Sequence, residues 1–455
     1  MDFQGQRILI VGLAKTGEAA ADFFLGRGAR VKISEKKTAA ELGRRYEYWT
    51  NRGVEIEAGG HRPASFLEAD LIVPSPGVPP LPGFQAARER GIPILSEIEI
   101  ASRFLRGMIV GVTGTNGKST TATLIHKILK DAGRRAYLAG NIGTPLISYV
   151  DGSRENHLYV TEISSFQLAY IDTFKAGVAV FLNLSQNHLD WHGSFESYIA
   201  SKKKLLTGQD DSGRAVLNRD DALVWHLARE ARSEVYGFSR RRTLNRGCFL
   251  RSGRIVLRDT EEMSLMPATD IRLPGLHNQE NVLAAALTAH LLGVPPPKIR
   301  RSVHAFRGLE HRLEPVLRWR GVEFINDSKA TSVDATLKAL ESIERPIVLI
   351  LGGKDKGSDF TRLRRMVRTK VKKVILVGSA KDKIRSALAG VASMEDAASF
   401  AEVVPRAYAA ATRGDVVLLA PACTSWDMFK NFEERGRVFK RNVRKLAETT
   451  SGRRR

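Results

Sequence analysis

The stretch 111–120, GVTGTNGKST, constrains this chain more than any other. A short apolar run at 108–112 precedes it and reads as a buried strand. A helical pattern at 121–131 follows, with Leu124, Ile125, Ile128 and Leu129 on one face. A strand, a glycine-rich turn ending Gly117-Lys118-Ser119, and a helix together make a phosphate cradle. Glycines let backbone N–H groups approach an anion, the helix start adds partial positive charge, and Lys118 adds a full one. Ser119 or Thr120 offers a hydroxyl to Mg²⁺. The spacing departs from G-x-x-x-x-G-K-[ST], because Val112 stands where that pattern has its first glycine.

A chain of 455 residues predicts about three domains. Hydrophobic content of 43% and charged content of 26% are those of a water-soluble globular protein. No apolar run is long enough to span a bilayer, and the first residues lack a cationic start followed by a long apolar core. Cys248 and Cys423 are too few for a disulfide framework or a cysteine-based zinc site. A cytoplasmic location fits. The net charge of +22 raises the question of nucleic acid. Yet the basic clusters at 202–204, 240–242, 362–373 and 453–455 are dispersed, and the 7% of aromatic residues do not interleave with them. No nucleic-acid partner is expected, since acidic phosphorylated substrates account for the charge as well. A disordered basic tail is expected from about residue 449.

Along the chain, RILIVG (7–12) reads as a strand. Gly12-Leu-Ala14-Lys15-Thr16-Gly17 follows as a G-x-A-x-x-G turn, then a helix, then a strand at 30–34 ending at Glu35. This is a Rossmann-like opening, and any nucleotide diphosphate suits its turn. A further strand at 70–73 runs into Pro74-Ser75-Pro76-Gly77. Strands expected at 135–139, 157–162 and 176–182 end in Gly140-Asn141, in Thr161-Glu162 and in Asn183. They point to a parallel sheet with polar groups on the edge that carries the phosphate loop. Shorter strands at 248–251 and 254–257 flank a turn at Ser252-Gly253. An alanine-rich helix is expected at 282–292, with Asn278 as its N-cap. Strands at 322–326, 346–351, 373–377 and 415–420 predict another doubly wound sheet. The fold class is α/β in three domains, Rossmann-like at both ends with a P-loop-type parallel sheet between, with boundaries at 1–98, 99–307 and 308–455.

Glu162 ends a buried strand, where an acid needs a cation or a ligand; it reads as a Mg²⁺ ligand or as a partner of Lys118. His188-Leu-Asp190-Trp-His192 has metal-ligand spacing, but ions that hold nucleotide phosphates favour oxygen ligands. One imidazole among oxygens, His188, is preferred to a His/Asp/His zinc site, and His192 and Asp190 suit a structural role equally. Tyr198 and Lys202 share a helix face at i, i+4. On pattern alone Lys202 reads as a solvated lysine. Asp327-Ser-Lys329-Ala-Thr331 after a strand suits phosphate or carboxylate, and Arg312 lies at a domain edge.

The segments TGTNGKST (113–120), NHLDWHGSFESYIASK (187–202), GLHNQEN (275–281), GLEHRLE (308–314) and NDSKATS (326–332) resemble the Mur ligases of peptidoglycan synthesis. EISSFQL (162–168) and PACTSWDMFKNFEERG (421–436) resemble the members that add D-glutamate. The resemblance covers about 5–440 and includes the shifted phosphate loop. It implies ATP-dependent amide-bond formation between D-glutamate and UDP-N-acetylmuramoyl-L-alanine through an acyl phosphate, by a cytoplasmic monomer. Another Mur-type or folylpolyglutamate-type ligase is the alternative. Carried over by position, it implies that Thr113, Gly114, Thr115, Asn116, Gly117, Lys118, Ser119 and Thr120 bind the ATP phosphates. Asn278, Asn281, Arg312, Asp327 and Lys329 contact the nucleotide. Ser119 and Glu162 hold one Mg²⁺, and His188 with a carbamylated Lys202 serves a second. Lys15, Thr16, Glu35, Lys36, Ser75 and Asn141 line the uridine-diphosphate site, which departs most from the family. Thr331, Lys356, Ser425 and Phe432 correspond to the D-glutamate pocket.

Overall fold

The first four strands are parallel and lie in the order Glu55–Ala58, Arg30–Glu35, Arg7–Val11, Leu71–Pro74. They belong to a computed structural model that describes residues 2–273, 275–355 and 357–452, the last four as backbone only. The apolar run Ile8, Leu9, Ile10 and Val11 is buried at every position, as a strand covered on both faces requires. The chain then turns at Gly12, whose φ of +94° favours glycine, into the helix Lys15–Leu25. Any side chain at Gly17 would overlap the Gly12 carbonyl oxygen, so the close strand-to-helix passage fixes that glycine.

The middle sheet has nine strands, and Met108–Thr113 lies third from one edge, between Leu158–Glu162 and Val178–Phe181, all parallel. Register puts Val112 opposite Glu162 and Thr113 opposite Phe181, so these strands end on one edge. The helix Lys118–Asp131 starts three residues earlier than its apolar pattern, bringing Ser119 and Thr120 into its first turn. The helix Leu276–Leu291 packs on it through a run of buried alanines, Ala284 to Ala286, that lets the two backbones approach closely. At the far edge Gly247–Arg251 and Arg254–Arg258 pair antiparallel, joined by Ser252 and Gly253, both at positive φ. The expected strands are found with ends shifted by a few residues; Glu55–Ala58, Glu262–Pro267, Glu314–Trp319 and Ser393–Asp396 are additional short strands.

Asn278 does not cap the alanine-rich helix. That helix begins at Leu276 after Gly275, whose φ of +90° ends the preceding loop, and Asn278 lies inside its first turn. The local Asn signal for a cap is outweighed by the earlier glycine turn.

The chain divides into two compact units, Met1–Phe306 and Arg307–Arg455. Inside the first, the four-stranded and nine-stranded parts share a core. Arg27 pairs with Asp151 at 2.6 Å, and the Ile147 N–H donates to Glu97 at 2.6 Å. In the second, Val322–Asn326, Val416–Leu419, Ile347–Gly352, Val371–Val377 and Ser393–Asp396 run parallel in that order, with Glu314–Trp319 antiparallel at one edge. The helix Phe432–Gly452 closes the described chain. Residues 449–452, where a disordered tail was expected to begin, continue this helix, because its hydrogen-bonded backbone propagates past the last apolar residue; 453–455 and Lys356 lie outside the described residues. Among the described residues, no helix is long and apolar enough to cross a membrane.

Candidate phosphate and metal site

The phosphate loop is tied down by hydrogen bonds to the neighbouring strand end and to the helix that carries Tyr198. Asn183 accepts from the Asn116 N–H at 2.8 Å and donates back to the Asn116 carbonyl at 3.1 Å. Thr115 Oγ1 meets the Tyr198 hydroxyl at 2.9 Å and accepts from the Ser185 N–H at 3.0 Å. Gly114 and Gly117 have φ of +145° and +84°, and a side chain at Gly117 would collide with the Asn281 amide. Asn281 is buried against the loop, accepts from Thr121 Oγ1 at 3.2 Å, and donates to Asn278 at 3.0 Å.

Two ammonium groups converge on that loop. Lys118 Nζ donates to the Gly114 and Thr115 carbonyls at 2.9 Å each. Lys202 Nζ donates to the Gly114 carbonyl at 3.0 Å and to Thr113 Oγ1 at 3.1 Å. Lys202 is 1% exposed, which overturns the solvated-lysine reading: one lysine in the run 202–204 must face inward when its helix packs on the sheet edge. Burial, then the neighbouring Lys118 charge, holds the Lys202 amine well below the usual lysine range.

Glu162 faces them from the adjacent strand end. It is buried; Oε1 accepts from Asn141 Nδ2 at 2.8 Å, and Oε2 has no hydrogen-bond partner. An unpartnered buried carboxylate oxygen is costly, and a cation is the group that offsets it. Ser119 is buried in the first turn of the adjoining helix.

His188 adopts φ +53°, ψ +36° just before the short helix Leu189–His192, a left-handed conformation that is costly for an imidazole residue outside a fixed site. Its ring meets Phe166 at 4.8 Å between centroids. Burial pushes its pKa down, opposed by the Asp190 carboxylate and aided by the Lys118 and Lys202 charges. His192 instead bonds Ser165 Oγ at 2.9 Å, stacks on Phe166, and is pushed to about 4, mainly by burial. It belongs to the aromatic support. Trp191 completes that support and donates from Nε1 to the Val78 carbonyl at 2.7 Å. Among the described residues no three His, Cys, Asp or Glu side chains group as a metal cluster.

In the Rossmann-like part, Glu35 accepts from the Leu13 N–H at 2.6 Å and the Lys37 N–H at 3.0 Å, and Ser75 Oγ donates to the Gly12 carbonyl at 2.8 Å. Lys15 reaches the Gly143 carbonyl. Thr16 opens the helix, and Lys36 is exposed. Asn141, expected at the uridine site, donates its amide to Glu162. Lys15, Gly143, Asn141 and Glu162 thus link the first glycine turn to the carboxylate beside the phosphate loop.

In the second unit, burial pushes Asp327 up to about 6, while the Leu313 N–H, Arg312 and Lys329 oppose the shift. Lys329 Nζ lies over the Phe432 ring at 5.3 Å, Ser425 is buried, and Thr331 is half-buried in the same turn as Lys329. Sequence reasoning missed Asn183, Phe166 and Arg435. Asn183 was visible only as a polar strand end, and Arg435 only as part of the C-terminal motif.

A phosphate loop flanked by a buried lysine and a carboxylate, in a chain of three α/β domains, defines a nucleotide-dependent enzyme of the Mur ligase kind. The chain belongs to the Mur ligase family. Three family patterns match it in order: the Mur ligase MurD-like N-terminal domain over 6–96, the Mur ligase middle domain over 112–289, and the Mur ligase glutamate ligase domain over 311–423. It is 43% identical to UDP-N-acetylmuramoylalanine–D-glutamate ligase of Koribacter versatilis, covering 98% of this chain and 99% of that one. Against the ligase of the same name from Acidobacterium capsulatum, identity is 45%, covering 97% and 96%. In fold it is similar to the UDP-N-acetylmuramate-alanine ligase of Thermotoga maritima, with a TM-score of 0.58 at 18% identity over 97% of this chain and 100% of that one.

Proposed function

We propose that this chain joins D-glutamate to UDP-N-acetylmuramoyl-L-alanine in the cytoplasm, at the expense of ATP, in peptidoglycan precursor synthesis. The likeness over nearly the whole length to ligases of that name supports the substrates. The observation that carries the chemistry is the pair Lys118 and Lys202 on one carbonyl, facing a buried Glu162 oxygen without a partner.

Thr113 to Thr120 cradle the ATP phosphates, and Lys118 offsets charge as the γ-phosphoryl group moves to the substrate carboxylate. That carboxylate oxygen forms the new P–O bond while the bond to ADP breaks. The D-glutamate amine then attacks the acyl carbon, loses a proton, and phosphate leaves. Ser119 and Glu162 are the residues to hold one Mg²⁺, and His188 with Lys202 a second. The unpartnered Glu162 oxygen and the His188 imidazole, with its lowered pKa, fit that donor set. Bound Mg²⁺ supplies further neutralisation of the phosphoryl charge. Burial lowers the Lys202 pKa, which favours uptake of CO₂ by its deprotonated amine: the lone pair forms the N–C bond and a proton leaves. The resulting carbamate is an anion suited to a cation. Lys15, Thr16, Glu35, Lys36 and Ser75 are the proposed uridine-diphosphate contacts. Asn278, Asn281, Arg312, Asp327 and Lys329 are those of the nucleotide, and Thr331, Lys356, Ser425 and Phe432 those of the amino acid.

The test is ADP release with UDP-N-acetylmuramoyl-L-alanine against a panel of D- and L-amino acids. Turnover with D-glutamate alone is expected. Turnover with L-lysine, diaminopimelate or L-glutamate in its place assigns the chain to another branch.

A further inference from the structure

Arg435 is the largest charged side chain in the protein that is fully buried, at 0% exposure. Its three nitrogens all donate to neutral acceptors. Nε reaches Ser328 Oγ at 3.0 Å, Nη1 the Cys423 carbonyl at 3.1 Å, and Nη2 the Ser328 carbonyl at 2.9 Å. Among the described residues no carboxylate forms an ion pair with it. Burial pulls its pKa down to about 10, opposed by Cys423 and Asp427. Buried charges are ordinarily paired, because leaving water is costly and carbonyl dipoles repay only part of it.

Its place explains what the charge is for. Ser328 follows the strand Val322–Asn326, Cys423 follows Val416–Leu419, and Gly353 follows Ile347–Gly352; these three strands are adjacent and parallel. A side chain at Gly353 would lie 3.2 Å from Arg435 Nη1, so the guanidinium sits under that turn too. Gly353, with φ +129°, is fixed by this approach and by the Thr424 carbonyl. Arg435 therefore ties together three turns at the carboxyl edge of the sheet, where open α/β sheets bind ligands. Ser328 Oγ also donates to the Phe432 carbonyl at 2.8 Å, which joins the start of the last helix to the same knot. Thr331 and Ser425 stand on two of these turns, and Phe432 on that helix.

We propose that Arg435 is a positioning residue of the amino-acid pocket, a buried cation whose field and three-turn anchorage together hold a substrate carboxylate above it. The inference rests on the proposed ligase reading. A carboxylate arriving at this edge adds an anion to the guanidinium's field, where among the described residues only the more distant Asp427 carboxylate acts on it without forming an ion pair. Arg435 does not touch the reacting atoms and acts through Ser328, Cys423 and the field.

The experiment uses the full chain and two variants, Arg435→Met, which removes the charge, and Arg435→Lys, which keeps it without the fork. KM is measured separately for ATP, UDP-N-acetylmuramoyl-L-alanine and the amino acid, and circular dichroism checks the fold. Arg435→Met is expected to raise the KM for D-glutamate about tenfold or more, with the other two KM values within about twofold. Arg435→Lys, which keeps the charge and loses the fork, is expected to raise the D-glutamate KM less, about threefold to fivefold, with the other two KM values within about twofold. Equal rises in the two variants, or none in either, overturn the proposal. Should Arg435→Met not fold, Arg435→Lys decides: a rise in the D-glutamate KM alone supports the proposal, and no rise, or an equal rise in all three KM values, overturns it. A parent protein that prefers another amino acid refutes the D-glutamate assignment, and the comparison then runs unchanged with that acid. A parent active with no amino acid overturns both.

Discussion

Lys118 and Lys202 donate to one acceptor, the Gly114 carbonyl oxygen, at 2.9 and 3.0 Å. Two ammonium groups on one carbonyl repel each other, and burial with the Lys118 charge holds the Lys202 amine well below the usual lysine range, with the Glu162 carboxylate opposite.

Lys202→Ala is expected to lose at least about 100-fold in kcat, the scale of removing one preorganised charge at a phosphoryl-transfer site. Acetate or formate, small enough to enter the vacated space, should restore part of it by standing in for the carbamate. The readout is ADP release with and without the acid. Parent-level activity in the unrescued variant refutes the site.

Glu97 gives a pH prediction with a definite sign. It is buried between the first two sheets of the chain, accepts one N–H through Oε1, and leaves Oε2 unpartnered. Burial pushes its pKa from 4.5 to about 7. The fold therefore prefers neutral Glu97, so this stability is fully present below pH 4.5 and is lost as pH rises through 7. The loss reaches about 3 kcal/mol. Glu97→Gln should remove that dependence, and urea midpoints measured at pH 5 and pH 8.5 check it. Equal pH slopes in parent and variant refute it.

Gly17→Ala puts a methyl group into the Gly12 carbonyl oxygen. The backbone must move, at a cost of about 1–3 kcal/mol, and the glycine turn opens with it. Thermal unfolding should show the loss, along with a higher KM for the uridine substrate and an unchanged KM for D-glutamate.

Trp191→Phe keeps the ring stack on Phe166 but removes the N–H bond to the Val78 carbonyl. About 1 kcal/mol is expected from one lost hydrogen bond. Because Phe166 also packs on His188, kcat should fall with it, and Trp191→His, which keeps a ring N–H, should retain more activity.

Several site residues were legible because their signals are local. The glycines of 111–120, the acid at the end of an apolar strand and the doubly wound alternation follow from spacing and burial pattern alone. Lys202 was not legible in that way, since three consecutive lysines look alike until a helix face is chosen by packing. Asn278 misled, because the glycine turn three residues earlier starts the helix before it. Asn141 was placed near the right loop, but only the sheet register brings its amide to Glu162.

By itself the sequence determined the order of strands and helices, the phosphate cradle, and the kind of group each turn can bind, because these depend on neighbours along the chain. Tertiary structure alone decided which lysine is buried, which Glu162 oxygen lacks a partner, and that Arg435 lies under three turns from separate strands. Those properties come from desolvation and long-range contact, and both depend on segments a hundred residues apart meeting at one edge of a sheet.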